Sequence, residues 1–258
     1  MGKYILILLI MTTDIFIKTY HKDFVWLPYC LKSIHKFSSG FRNIVIVADN
    51  DGHKIPDEYL IDNCKVYYVD LPVKRPSNVE HGLGYLWQQS IKLTWYNYSD
   101  ADAVLIMDSD EMFTVPITPD SFKKDGKFKW NFRDWSKAGT GICWRPSTDF
   151  ILGINTQYDA MGITGFILQK ETSIALKNYI CSLHSTDSIW DTFVKYNMPT
   201  ASEFNVFGSF ILHSDSLEYT KVFDYNRENC INYTILKSWS WGGLSAAEKQ
   251  KREAILEG

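Results

Sequence analysis

Three acidic side chains within four positions, Asp108, Asp110 and Glu111, follow directly on the apolar run 103–107, Ala-Val-Leu-Ile-Met. A run of that length and branching reads as a buried strand. The carboxyl ends of strands in open α/β sheets are where ligands bind. Carboxylates crowded there repel one another and resist desolvation unless a cation joins them. All-oxygen donors suit a hard ion such as Mg²⁺ or Mn²⁺, and such an ion suits a diphosphate. The alternative is an acidic turn that caps the following element. Earlier in the chain, Gln88 and Gln89 stand four and three residues before Lys92 on a helical stretch and can share one face with it. Ser202 can cap a helix that begins at Glu203, where a carboxylate is also favoured by the helix dipole.

The elements that must position these groups follow from the same patterns. Residues 14–19 read as a first strand, 20–23 as a polar loop and 24–37 as a helix with Pro28 in its first turn. Strand, loop and helix in that order make the opening unit of a nucleotide-binding α/β sheet. Strands are expected at 43–48, 65–69, 103–110, 165–169 and 209–212, and helices at 55–61, 84–98, 173–183 and 245–256. The second strand ends in Asp49-Asn50-Asp51-Gly52, side chains able to grip a ribose or uracil and equally able to form a plain Asp-Gly turn. Pro116 and Pro119 exclude a regular helix from 114–122. The glycines at 162 and 165 allow close backbone approach.

Composition limits the function classes. The chain has 258 residues, of which 45% are hydrophobic, enough for one sizeable core. Aromatics make up 15%, suited to stacking on sugars or bases as well as to core packing. A net charge of -3 leaves no broad footprint for nucleic acid, although Lys123, Lys124, Lys127, Lys129 and Arg133 form a local basic group. The odd count of 5 cysteines, without zinc-ligand spacing, argues against a complete disulfide framework and fits a reducing, cytoplasmic setting. The apolar run 4–11 is too short to span a bilayer and lacks a following cleavage site. It reads as a lead-in, with Met11 an alternative start and a signal sequence a minor option.

The strand ending in Asp108-Ser109-Asp110 resembles the Asp-x-Asp motif of metal-dependent GT-A-fold glycosyltransferases. With the Gln88-Gln89-x-x-Lys92 helix before it and the Ser202-Glu203-Phe204 segment after it, the chain is similar to a bacterial and phage-type group of these enzymes over most of residues 12–250. The resemblance implies a single GT-A-like, Rossmann-like α/β domain with a mixed, mainly parallel central sheet flanked by helices. Residues 12–122 would form the nucleotide-sugar half, and 123–258 the acceptor half with a C-terminal lid and helix. It implies Mn²⁺ or Mg²⁺ on Asp108, Asp110 and a late histidine, His213, and a nucleoside-diphosphate sugar, UDP-linked, as donor. Lys92 would approach phosphate, and Gln88 and Gln89 would orient sugar or ribose. Thr19, His21 and Asp23 would hold base and ribose, with Asp49, Ser109 and the lid residue Trp241 as further donor contacts. Glu203 would be the general base of an inverting reaction, with Asp159 in reserve. The acceptor would be a hydroxyl on a glycan, a small molecule or a modified DNA base. Two rivals of other classes are a nucleotidyltransferase, which would be expected to carry a glycine-rich loop after the first strand, and a non-catalytic carbohydrate-binding protein.

Overall fold

The computed structural model describes residues 11–72, 82–161, 165–196, 198, 200–223, 235–237 and 243–258. In chain order the strands are β1 (Thr13–Thr19), β2 (Ile44–Asp49), β3 (Cys64–Val69), β4 (Ala103–Asp108), β5 (Glu111–Phe113), β6 (Lys123–Lys124), β7 (Lys127–Asn131), β8 (Arg133–Asp134), β9 (Tyr158–Asp159), β10 (Phe166–Gln169), β11 (Tyr219–Val222) and β12 (Ile235–Lys237). The helices are α1 (Leu27–Phe37), α2 (Leu83–Leu93), α3 (Arg145–Leu152), α4 (Lys170–His184), α5 (Ile189–Lys195), α6 (Glu203–His213) and α7 (Ala246–Glu257).

Every residue of β1 is buried, as are all but the last of β2 and β4. Strands covered on both faces have no reason to alternate, which is the pattern of a parallel sheet. Five strands form it in the order β10-β4-β1-β2-β3. β4, β1, β2 and β3 are parallel to one another, and β10 closes the edge antiparallel to β4. The protein is therefore α/β, with a mixed, mostly parallel central sheet flanked by helices. One continuous apolar cluster runs from Ile15 and Phe16 through Ile106, Trp130 and Phe166 to Phe207 and Tyr219. Among the described residues no helix is long and apolar enough to cross a membrane.

Several boundaries depart from expectation for identifiable reasons. Residues 21–23 form a single 3₁₀ turn, with the Trp26 N–H donating to the Asp23 carbonyl at 2.9 Å, so α1 begins at Leu27 rather than at 24. α2 stops at Leu93, where Thr94 turns its hydroxyl back onto the Ser90 carbonyl at 2.8 Å and a 3₁₀ turn follows. Residues 55–61 contain only the 3₁₀ turn Asp57–Tyr59. The expected strand at 209–212 is the second half of α6. That helix is buried on every side from Glu203 to Ile211, and an apolar run without a polar face cannot be told from a strand by period. Ser202 caps it, accepting from the Asn205 N–H at 3.3 Å.

The basic group at 123–133 is mostly a hairpin. β6 and β7 turn on Asp125 and Gly126, both at positive φ (54° and 77°), with Phe128 and Trp130 inward. Gly165, at φ +94°, is needed for packing: a Cβ there would lie 2.7 Å from the Phe122 ring. Gly208 is tighter still. A Cβ at this point of α6 would sit 2.1 Å from Trp130 Nε1 and 2.4 Å from the Ala160 Cβ, while that indole N–H donates to the Ala160 carbonyl at 2.9 Å. Gly208→Ala, favourable in most helices, should here destabilise the fold by about 1–3 kcal/mol or more, seen as a lowered melting temperature.

Candidate functional site

The parallel strands bring Thr19, Asp49 and Asp108 to one edge, because β1 lies between β2 and β4 and pairs Lys18 with Asp108. Asp108 is the most heavily engaged group there. Its Oδ1 accepts from Lys92 Nζ at 2.6 Å and, at the limit of hydrogen bonding, from Gln88 Nε2 at 3.5 Å. Its Oδ2 accepts from Lys237 Nζ at 3.0 Å. Burial pushes the Asp108 carboxyl up, but the Lys92 and Lys237 ammonium groups outweigh it and hold the group well below the usual carboxylate range.

Lys92 projects from the last turn of α2 and is 1% exposed. The same ammonium donates to Glu203 Oε1 at 2.7 Å, joining the end of β4 to the start of α6. Gln89, one turn away, accepts the Glu203 backbone N–H at 2.9 Å. Burial disfavours the Lys92 charge, and the two carboxylates more than compensate, so its pKa is raised. Tyr85, on α2, has its hydroxyl pKa raised by burial and by Glu203 and Asp108.

Beyond Asp108 the chain turns back into β5. Glu111 lies opposite Lys237 in the antiparallel β5–β12 pair, with 3.2 Å between Nζ and Oε1, and its Oε2 accepts the Asp108 N–H at 3.0 Å. Asp110 is 8% exposed. Burial, then the charges of Asp108 and Glu111, push its carboxyl up to about 7. Its carbonyl is held by the fully buried Arg252 of α7, whose Nη2 donates to it at 2.6 Å and whose guanidinium lies 4.7 Å from the centroid of the Trp26 ring. α7 is seated on α1, where Lys36 Nζ reaches the Leu256 carbonyl at 2.8 Å. Across the edge, Lys18 Nζ donates to Asp49 Oδ1 at 2.6 Å and to the Thr19 carbonyl at 2.8 Å, and burial lowers its pKa. The Thr19 hydroxyl donates to Ser109 Oγ at 3.2 Å.

The structure thus gathers Thr19, Asp49, Gln88, Gln89, Lys92, Asp108, Ser109, Asp110 and Glu203 at one edge of the sheet, with His21 in the turn after β1. Gln89 is spent on the backbone of α6, so it orients Glu203 rather than an incoming ligand. His213 is a correction. It ends α6, ten residues from Glu203 and so roughly 15 Å along the axis, with its ring against Tyr179. The strand expected at 209–212 is helix, so the late histidine that the resemblance assigns to the metal stands at the far end of α6. Asp159 is fully buried, paired with Arg133 at 2.5 Å and accepting the Met161 N–H at 3.0 Å, a tie between β8 and β9. Asp23 lies in the 3₁₀ turn instead of capping α1. Trp241, with Lys74 and Arg75, lies outside the described residues.

Four groups escaped the sequence reading: Lys18, Glu111 as a partner of lysine, Lys237 and Arg252. Lys18 had a signal, a charge inside an otherwise apolar strand. Lys237 had none, since it meets Asp108 across 129 residues. No protein-family model matches the sequence, and a search of curated proteins returns no match.

Proposed function

We propose that the chain is a metal-dependent sugar transferase of the GT-A kind, a single domain that uses a UDP-linked sugar donor and a hydroxyl acceptor in a cytoplasmic setting. The observation that carries this reading is the acidic turn Asp108–Glu111 at the carboxyl edge of a mostly parallel sheet, interleaved with the buried Lys92 and the half-buried Lys237. Carboxylates recognise a divalent ion, ammonium groups recognise phosphate, and a nucleoside diphosphate needs both.

The donor set fits a hard cation. Four carboxylates, those of Asp108, Asp110, Glu111 and Glu203, gather about the ammonium groups of Lys92 and Lys237 and the guanidinium of Arg252, so that negative charge outnumbers positive by one. Burial first, and then the neighbouring carboxylates Asp108 and Glu111, raise the Asp110 carboxyl. Asp108 and Asp110 would hold a Mn²⁺ or Mg²⁺ ion, which supplies neutralisation of charge on the leaving diphosphate. Lys92 fixes the carboxylates of Asp108 and Glu203 and places positive charge beneath the phosphates. Glu203, held by Lys92 and by Gln89, would accept the acceptor's hydroxyl proton. Thr19, His21 and Asp49 line the side where base and ribose would sit.

Calorimetric titration of UDP tests this. Binding is expected with Mn²⁺ present, lost with chelator and lost in Asp110→Asn. Binding that survives chelation would assign the diphosphate to Lys92 and Lys237 instead of a metal. If no nucleotide or nucleotide sugar binds under any of these conditions, the transferase reading fails.

A further inference from the structure

A second cluster of metal-ligating side chains lies apart from the acidic turn. His21 follows β1, while Asp51 and His53 follow β2, and because β1 and β2 are parallel neighbours these loops emerge side by side. Asp51 sits between the two imidazoles. His53 Nδ1 lies 3.1 Å from Asp51 Oδ1, and His21 Nδ1 lies against Asp51 Oδ2. The two rings stack with centroids 4.3 Å apart and planes 19° from parallel. One ligand atom from each of the three residues falls within 4.8 Å of the other two.

We propose that His21, Asp51 and His53 form a binding site for a transition-metal ion of the Zn²⁺ type. Nitrogen and oxygen ligands of tetrahedral zinc stand about 2.0–2.1 Å from the ion, hence roughly 3.3 Å from each other. The His53 Nδ1–Asp51 Oδ1 pair already stands at 3.1 Å, and one ligand atom of each residue lies within 4.8 Å of the others, so small side-chain rotations would seat one ion. The turn that sets it is built in: Gly52 takes φ +91° with open space around it, and the His53 N–H donates to Asp51 Oδ1 at 3.1 Å, folding His53 back over the carboxylate. An aspartate holding one histidine would explain a single contact. Two imidazoles and one carboxylate meeting across two loops supply three donors within reach of one ion.

Donor chemistry separates this site from the acidic turn. Two imidazole nitrogens and one carboxylate oxygen select Zn²⁺ and its neighbours over Mg²⁺ and Mn²⁺, which favour the all-oxygen set of Asp108, Asp110 and Glu111. Three protein ligands leave the fourth position to water or to a small donor ligand. The His53 side chain is 60% exposed, so that position opens to solvent. Loading displaces the imidazole protons and clamps the loop after β1 to the loop after β2. None of this depends on the transferase reading.

The test is calorimetric titration of Zn²⁺ into the full chain at about pH 7.5, where free imidazoles are largely deprotonated. One ion per chain is expected, lost in His53→Gln and in Asp51→Asn and kept in Asp110→Asn. Anomalous scattering at the zinc edge should place the ion between the two rings. His53 is exposed, so its variant should fold as the parent does, which circular dichroism checks. The proposal is overturned if the unaltered chain takes up no zinc, if His53→Gln binds zinc as well as the parent, or if zinc is lost in Asp110→Asn, which would put the ion on the acidic turn.

Discussion

Replacing Lys92 by methionine should cost the fold about 3–5 kcal/mol, because it leaves the buried Glu203 without its cation and Asp108 with Lys237 alone. Lys92 is 1% exposed and touches Asp108 at 2.6 Å and Glu203 at 2.7 Å. Methionine fills nearly the same volume, so the loss comes from charge and not from a cavity. For a chain of this size each kcal/mol lowers the melting temperature by about 2–4 °C, so a fall of roughly 10 °C is expected by calorimetry. The folded pKa of Lys92 is raised above 10.5, so its stabilising contribution is fully present below that value and is lost only as pH climbs beyond it. The Lys92 contribution is therefore the same at pH 6 and pH 8, but a carboxylate left buried without its cation is harder to keep ionised, so the deficit should be larger at pH 8 than at pH 6. Lys92→Met/Glu203→Gln removes the stranded Glu203 charge and should recover part of the loss, by about 1–3 kcal/mol of coupling. On the proposed function, turnover falls by about 10²-fold or more, the usual effect of removing one preorganised charge. A Lys92→Met protein as stable as the parent would show that the ammonium does not hold the two carboxylates, and Glu203 would lose its orientation argument with it.

How much of this was legible in the sequence depends on the range over which each signal acts. β1, β2 and β4 announced themselves because a doubly covered parallel strand is a short apolar run, and nothing beyond the run is needed to see it. Asp108 and Asp110 were legible for the same reason, standing where such a run stops. Lys92 was found by helical spacing, and Ser202 and Glu203 by capping chemistry. α6 misled because it is apolar on every side, and His213 was misplaced along with it. Lys237 and Arg252 reach the site only through long-range pairing: Lys237 by crossing β5 to stand opposite Glu111, and Arg252 by the seating of α7 on α1. No local pattern encodes either contact. The pairing of His21 with Asp51 and His53 is intermediate, visible only once β1 and β2 are known to be neighbours.

The metal-free protein should be more stable at pH 5 than at pH 8 through Asp110, an inversion of the usual behaviour of a carboxylate. An aspartate held by cations has a depressed folded pKa and stabilises above neutrality. Asp110 instead is buried beside Asp108 and Glu111, and its carboxyl is pushed from 3.8 to about 7. Between these values the folded chain holds a proton that the unfolded chain has released, so stability falls as pH rises through the window and the full cost is present above pH 7. Three units correspond to a cost on the order of 4 kcal/mol at most, at about 1.4 kcal/mol per unit. Glu111 is raised too and acts in the same direction, while Asp108, held low by Lys92 and Lys237, loses its contribution only at much more acid pH. Asp110→Asn carries no charge at any pH. In chelator it should therefore melt above the parent at pH 8, and by a smaller margin at pH 5, where only the first part of the window has been crossed. Mn²⁺ should reverse the order at pH 8 by stabilising the parent alone, because binding to the folded state adds RT ln(1 + [L]/Kd) and the asparagine variant lacks the carboxylate. Melting curves at the two pH values, with metal and with chelator, decide the matter. Parallel pH dependence in parent and variant would mean that Asp110 titrates like an ordinary carboxylate, and the proposed cation site would lose the buried, charge-crowded carboxyl on which it rests.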